Sequence, residues 1–303
     1  METPALSVVI SAHARPVELR EAIAAVVDQD LDDVIETIVV FDKAEPDMSL
    51  VSDDPRRPVR VIPNEHGNGL PGSRNAGADR ARAEVIGFCD DDDLWLPQKA
   101  RRQLQVMAER DADVVTSGIE LLSADRIVRK DPPGDTLTFS DLLRSRRVEA
   151  CMVSAIVRRS AFLGDEIGPM DESIPGGFAE DYEFMLRAAR HGEVAVVAEP
   201  LVRVRWGAPS HFRDRWRTID DALAYLLARF PEFRTDRVGL ARVEGQRAFA
   251  QAAARRKGCW RQICRVLRLN PLERRAWLAI PVAARLISAS RIVNALNARG
   301  RGI

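Results

Sequence analysis

Short, almost unbroken apolar runs alternate with segments of helical period along the first third of the chain. Leu6 to Ala12 is β-branched and nearly continuous in apolar side chains, the pattern of a strand buried on both faces of a parallel sheet. Glu18 to Val27 puts Leu19, Ile23, Val26 and Val27 on one helical face. Val34 to Phe41 reads as a second buried strand ending at Asp42, and Val59 to Ile62 as a third. A polar, glycine-rich loop from Asn64 to Ser73 leads into a helix over Arg74 to Arg82, and Glu84 to Cys89 is a fourth strand. Alternation of this kind predicts an open, mostly parallel α/β sheet with right-handed crossovers. Ligands of such sheets bind outside the carboxyl ends of the strands. Ala12, His13, Asp42, the Asn64 to Arg74 loop and the residues after Cys89 are therefore expected on one rim.

Further along, Pro97 to Arg110 predicts a helix with Leu104 and Met107 inward, and Asp113 to Ile119 a strand. Ser123 to Gly134 is a charged hairpin or loop, Phe139 to Arg146 a helix and Cys151 to Val157 an apolar strand. After a turn-rich stretch from Gly164 to Gly177, residues Ala179 to Arg187 return to helical spacing, and Glu193 to Ala198 and Leu201 to Val204 are strands. Beyond Arg213 the texture is helical, over Ile219 to Arg229, Arg237 to Arg256, Trp260 to Leu267 and Glu273 to Leu296. Two regions are expected: 1–212, with halves at about 1–118 and 119–212, and a helical region 213–303.

Charge sharpens that division. The 45 basic and 45 acidic residues cancel overall, yet residues 213–303 hold 20 Lys or Arg against 7 Asp or Glu, so the tail is strongly basic and the front acidic. Such a tail meets something anionic, either a membrane surface or the acidic front itself. It carries none of the aromatic-interleaved or zinc-finger patterns of nucleic-acid binders, so no nucleic-acid partner is expected. Cys89, Cys151, Cys259 and Cys264 show no Cys-x-x-Cys spacing and fit a reducing compartment. The approach to Leu6 lacks a basic segment of the signal-peptide kind, and the longest apolar tract, Ala276 to Ala289, is broken by Pro281 and Arg285 and is too short to span a bilayer. A cytoplasmic location follows as the expectation, with peripheral contact at the inner face of the membrane as the option the tail offers.

Candidate chemistry centres on Asp90 to Asp93, four consecutive aspartates between an apolar run and Leu94-Trp95-Leu96-Pro97. Carboxylates crowded at a strand end repel one another unless a positive group neutralises them, and a hard divalent cation is the usual solution. An acidic run is also commonly a solvated turn, and Asp93 has the position to N-cap the helix after Pro97.

The ordered set of motifs resembles the family 2 glycosyltransferases. Its carriers are Ser7-Val8-Val9-Ile10 with Arg15-Pro16, Asn64-Glu65-His66-Gly67-Asn68-Gly69 with Ser73-Arg74-Asn75-Ala76-Gly77, the Phe88 to Pro97 stretch, and Glu180-Asp181-Tyr182, spread over about residues 6 to 210. The resemblance implies a GT-A fold, a mixed, mostly parallel sheet flanked by helices, here with a C-terminal helical extension. It also implies a nucleotide-sugar donor, transfer with inversion to a glycan, lipid-linked or small-molecule acceptor, and Mg²⁺ or Mn²⁺. Under it Asp92 is the metal ligand together with Asp90, and Asp90 and Asp91 face the ribose or the metal's waters. Ala12 and Asp42 contact the nucleotide, and Arg74 meets the diphosphate or acts as counter-ion of the aspartate run. Asp181 is the general base, with Glu180 beside it. The chain departs from the family at Phe41, where an acidic residue is expected, at Ala12-His13-Ala14, where a Tyr-Asn pair is frequent, and at Gly207, where a histidine is common and for which His211 is the nearest substitute. Those departures leave two other readings open: a catalytically impaired nucleotide-sugar-binding protein and a metal-dependent nucleotidyltransferase.

Overall fold

The apolar runs of the first third form strands β1 (Leu6–Ala12), β2 (Ile35–Phe41), β3 (Val59–Pro63) and β4 (Val85–Asp90), with helices α1 (Pro16–Val27) and α2 (Leu70–Arg80) between them. The structure is a computed structural model and describes residues 2–67, 69–123, 126–205, 212 and 214–297. β1 lies between β2 and β4, β3 lies outside β2, and all four are parallel. In register, Ala12 stands opposite Phe41 and Ser11 opposite Asp90, so the ends of β1, β2 and β4 share an edge. Every residue of β1 is buried, as a central parallel strand requires.

The sheet continues through β5 (Leu94–Trp95), α3 (Lys99–Arg110), β6 (Val114–Ser123), β7 (Arg126–Lys130), β8 (Thr136–Leu137), α4 (Phe139–Arg144), β9 (Ile156–Arg158), α5 (Arg159–Leu163), α6 (Glu180–His191) and β10 (Val194–Arg205). Its order is β3-β2-β1-β4-β9-β6-β10-β5, with β7 added on β6 and β8 on β10. Because β9 is antiparallel to both β4 and β6, while β6 and β10 are parallel, β6 and β10 point the same way as β1 to β4. The carboxyl ends of all these strands therefore meet on one rim.

Close packing fixes α2 and the aspartate segment beneath that rim. Gly77 of α2 sits against the Val9 side chain, where a Cβ would find no room. Trp95 covers Gly87 and donates from Nε1 to the Phe88 carbonyl at 3.3 Å. Lys99 is wholly buried. Its amine donates to Gln103 and to the Ser154 carbonyl and lies 4.4 Å from the Trp95 ring centre. Burial drives that amine down to about 7, against the smaller opposing pull of Cys89 and Cys151.

Several sequence expectations shift here. Helix α3 starts at Lys99 with Gln98 as its N-cap, because Leu94 and Trp95 are drawn into an antiparallel pairing with Val202 and Arg203. Asp93 is consequently no helix cap: its carboxylate accepts from the Arg205 backbone N–H at 3.2 Å. The expected strand from Cys151 to Val157 is reduced to Ile156–Arg158, since Met152–Ser154 forms a 3₁₀ turn held by the Ser154 hydroxyl. The two expected strands at Glu193 to Val204 are one, β10, with its register shifted around Pro200.

By packing, the chain divides into two compact units. One comprises Met1–Leu142, Arg146–Glu172 and Glu180–Trp206, and the other Leu143–Ser145, Ser173–Ala179 and Gly207–Ile303. The second unit contains α7 (Trp216–Arg229), α8 (Arg237–Ala253), α9 (Cys259–Leu269), α10 (Arg274–Ala283) and α11 (Ala289–Asn297). Its core joins Ala248, Phe249 and Ala252 of α8 to Ile263 and Val266 of α9 and to Ala276 and Ala279 of α10. The single helix expected from Glu273 to Leu296 is broken after Ala283. Arg285 adopts φ +62°, and the Arg285 and Leu286 N–H groups bond back to Val282 and Pro281, a left-handed terminus that satisfies the last carbonyls.

Candidate active site

Four stretches converge on the rim of the sheet unit. The aspartate run leaves β4, the first loop leaves β1, the glycine-rich loop enters α2, and Glu180-Asp181 begins α6. The glycine-rich loop is held by Asp42, whose two carboxylate oxygens accept from Asn64 Nδ2 and from the Gly69 N–H, each at 3.1 Å. Gly69 has φ +97°, a left-handed conformation that favours glycine. A second clamp comes from Glu172, which accepts from the Gly67 N–H at 2.8 Å, from Asn75 at 2.7 Å and from His66 at 3.0 Å.

Arginines neutralise the aspartates. Arg15 reaches Asp91 at 2.7 Å and Asp92 at 2.8 Å, and the His13 backbone N–H donates to the other oxygen of Asp91 at 2.7 Å. Arg74 is buried, with 3% of its side chain exposed, and its guanidinium spans Asp90 and Glu180, at 3.0 Å to each. Asp181, next to Glu180, accepts from the Tyr182 N–H at 2.7 Å and from Arg146 at 3.0 Å, both through Oδ1. Among the described residues, no hydrogen-bond partner is seen for Asp181 Oδ2 or Asp90 Oδ2.

Burial shifts Glu180, Asp91 and Asp92 from their solution behaviour. Desolvation pushes Glu180 up to about 7, and the charge of Asp181 adds to it against the opposing pull of Arg74. Desolvation also raises Asp91 and Asp92, with Arg15 opposing it in both. Burial raises the Cys151 thiol to about 12, with nearby Asp181 adding to the effect, so this thiol stays protonated and unreactive.

The residues suit a hard divalent cation in type and less fully in number. Asp90 and Asp92 are partly exposed, at 28% and 22% of their side chains, and offer oxygen only. Among the described residues, no three His, Cys, Asp or Glu side chains are grouped to hold a metal ion by themselves. Two carboxylates complemented by phosphate oxygens of a ligand is the arrangement Mg²⁺ favours, and it fits this donor set.

The structure thus brings Asp90, Asp91, Asp92, Arg74, Glu180 and Asp181 to one rim, as an Arg15–Asp91–Asp92 group and an Arg74–Asp90–Glu180 bridge with Asp181 next in sequence to Glu180. Ala12 and Asp42 lie beside it, joined by the Asp42 N–H to the Ala12 carbonyl at 3.2 Å. Phe41 is half-buried against the core. Gly207 and His211 lie outside the described residues. Sequence reasoning missed the partners of Arg15 and Arg146. The only signal for Arg15 was its place beside Pro16 at a helix start. A separate cavity of about 360 Å³, lined by Arg110, Asp113, Thr136, His191 and Glu193, opens where β6 and β10 begin, at the opposite edge from the carboxylates.

Comparison with known proteins gives the family and the fold. The chain is 29% identical over 190 residues to a Bacillus subtilis protein described as the uncharacterized glycosyltransferase YwdF, a match covering 61% of this chain and 68% of the relative. It is 23% identical over 139 residues to the Escherichia coli UDP-Glc:alpha-D-GlcNAc-diphosphoundecaprenol beta-1,3-glucosyltransferase WfgD, covering 46% of this chain and 51% of the relative. Among solved structures, S. aureus TarS superposes with a TM-score of 0.63 at 18% identity over 92% of this chain, which spans about half of TarS (52%). A shorter TarS chain in complex with UDP-GlcNAc gives 0.57 at 17% identity, covering 98% of this chain and 92% of its own. These likenesses identify the sheet unit as a GT-A fold. The model of "Glycosyl transferase family 2" matches residues 7–162, more than half of the sequence, and on that match the chain belongs to family 2 and is a glycosyltransferase.

Proposed function

We propose that the protein transfers a glycosyl group from a nucleotide-sugar donor to an acceptor hydroxyl by direct displacement, inverting the anomeric carbon, with Asp181 as general base. The observation that carries this reading is the Arg74 bridge. One guanidinium ties Asp90, on the aspartate loop, to Glu180, the neighbour of Asp181, so the diphosphate side and the base side of one reaction adjoin. The acceptor oxygen attacks the anomeric carbon as the bond to the diphosphate breaks. The electron pair leaves with the diphosphate, and the acceptor proton passes to Asp181, whose Oδ2 is available. Tyr182 N–H and Arg146 hold the other oxygen and orient the group.

Asp90 and Asp92 would hold Mg²⁺ or Mn²⁺, whose charge would stabilise the departing diphosphate. Arg74 supplies a fixed cation beside that position, and Asp91, locked by Arg15 and the His13 N–H, shapes the loop under the ribose. Asp42 and Ala12 border the base. The neighbours' ligands support this reading: TarS is described with UDP-GlcNAc, and a Pyrobaculum calidifontis mannosyltransferase, PcManGT, with GDP-Man and Mn²⁺. WfgD acts, by its name, on a diphosphoundecaprenol-linked sugar, which supports a lipid-linked glycan acceptor.

The test is to screen nucleotide sugars with Mn²⁺ or Mg²⁺ for thermal stabilisation, then to determine product stereochemistry by NMR with the donor that binds. Inversion and metal-dependent turnover are the expected results. Retention of configuration would sink the displacement by Asp181.

A further inference from the structure

We propose that the outward side of α9 and α10, together with the turns that follow each of them at Leu272 and at Arg285 to Ile287, docks on a bilayer that carries anionic lipid headgroups. This surface lies in the helical unit and stands independently of the roles given to Asp92 and Asp181. The inner sides of both helices are committed to their own unit, through Ile263 and Val266 of α9 and Ala276, Ala279 and Val282 of α10. Large apolar groups nonetheless remain in water: Leu272 is 84% exposed, Leu286 77%, Trp277 55%, Trp260 48% and Ile287 43%.

Charge complementarity names the partner. Residues 255–297 contain ten Lys or Arg and a single acid, Glu273. That acid is buried and paired with Arg275 at 3.0 Å, so nothing negative on this stretch offsets the arginines. Arg261, Arg268, Arg274, Arg285 and Arg291 are all exposed, and none has an ion-pair partner among the described residues of the unit. Cations interleaved with exposed aliphatic and indole groups suit the boundary between headgroups and acyl chains. A nucleic acid would satisfy the arginines but leave Leu272, Leu286 and Ile287 in water. The Trp277 indole is already prepared for burial, because its N–H donates to the Pro271 carbonyl at 2.7 Å and loses no hydrogen bond on leaving water. No helix among the described residues is long and apolar enough to cross a membrane, and the contact proposed is one of lying on the surface.

The experiment is co-sedimentation of the full chain with vesicles of phosphatidylglycerol mixed with phosphatidylcholine, against phosphatidylcholine alone and against duplex DNA at the same ionic strength. Binding is expected to the anionic vesicles, weakening about tenfold as salt shortens the Debye length. R274Q/R285Q and W277S/L286S should each reduce it by about tenfold or more, with the circular dichroism spectrum and donor hydrolysis unchanged. Wild-type affinity in both variants, absence of binding to anionic vesicles, or tighter binding to the duplex would each overturn the proposal. Should the variants fail to fold, brominated acyl chains decide with the wild-type chain. Quenching of tryptophan fluorescence supports docking, and its absence overturns it.

Discussion

Arg74 donates to Asp90 through one terminal nitrogen and to Glu180 through the other, at 3.0 Å each, and so joins the end of β4 to the start of α6. Because the guanidinium is almost fully buried, removing it would strand two carboxyls without their counter-charge. Arg74→Met should cost about 3 kcal/mol of stability, the scale of a broken buried ion pair. Lysine at this position keeps the charge but lacks the planar fork whose two terminal nitrogens serve the two carboxyls, and should recover part of the loss. Urea denaturation of the three proteins measures the series, and an unchanged midpoint in Arg74→Met would remove the bridge as a stabilising element.

Asp181→Asn keeps the hydrogen bonds to Oδ1 and removes the proton acceptor. Turnover should fall roughly 10²- to 10⁴-fold while donor affinity stays within a factor of about two, the pattern of a lost general base. Steady-state kinetics with the donor from the binding screen separate kcat from KM. A comparable loss in donor affinity would instead make Asp181 a binding residue.

The aspartate run should show opposite effects on activity and on stability. Asp92→Asn, or chelation of divalent ions in the wild type, should abolish transfer. The same substitution should raise the stability of the metal-free chain by up to about 1 kcal/mol, because Asp92 is held charged against its desolvation and Arg15 keeps Asp91 as a partner. Calorimetry in chelator, set beside activity with Mn²⁺ restored, reads both effects. A lower melting temperature in Asp92→Asn would contradict this account.

Glu180 makes stability depend on pH with a defined sign. In the unfolded chain its carboxyl loses its proton near 4.5, whereas in the folded chain it keeps it to about 7. Between those values the native state binds more protons, so this residue's contribution falls as pH rises through the window. Glu180→Gln removes that slope. The stability difference, variant minus wild type, should therefore grow more positive from pH 4.5 to 7 and level off above. Melting curves at half-unit pH intervals test it, and a difference that stays flat would show that Glu180 titrates as an ordinary carboxyl.

Continuous apolar runs made β1 to β4 legible from sequence, because a strand buried on both faces leaves no alternation to misread. The fold class, the enzyme class and the order of motifs followed, and the family match disposes of the nucleotidyltransferase reading. What escaped was set by distant partners. Leu94-Trp95 is too short to announce a strand and exists only because Val202 and Arg203 pair with it, a contact that also moved Asp93 from a helix cap to the Arg205 amide. Arg15 stands in the sequence only as the residue before a helix start and Arg146 only as the end of an expected helix, and folding brings Asp91 and Asp181 to them. The break at Arg285 was equally silent, since a left-handed residue other than glycine leaves no mark in the hydrophobic period.

Lys99 gives the molecule an internal clock. The chain has four lysines, and Lys43, Lys130 and Lys257 all keep some exposure while the Lys99 amine has none. An acylating reagent should therefore modify three of them at once and reach the fourth only during an opening that separates α3 from the 3₁₀ turn ending at Ser154. With its proton already loosened by burial, that amine would record how often the sheet unit comes apart, independently of any substrate.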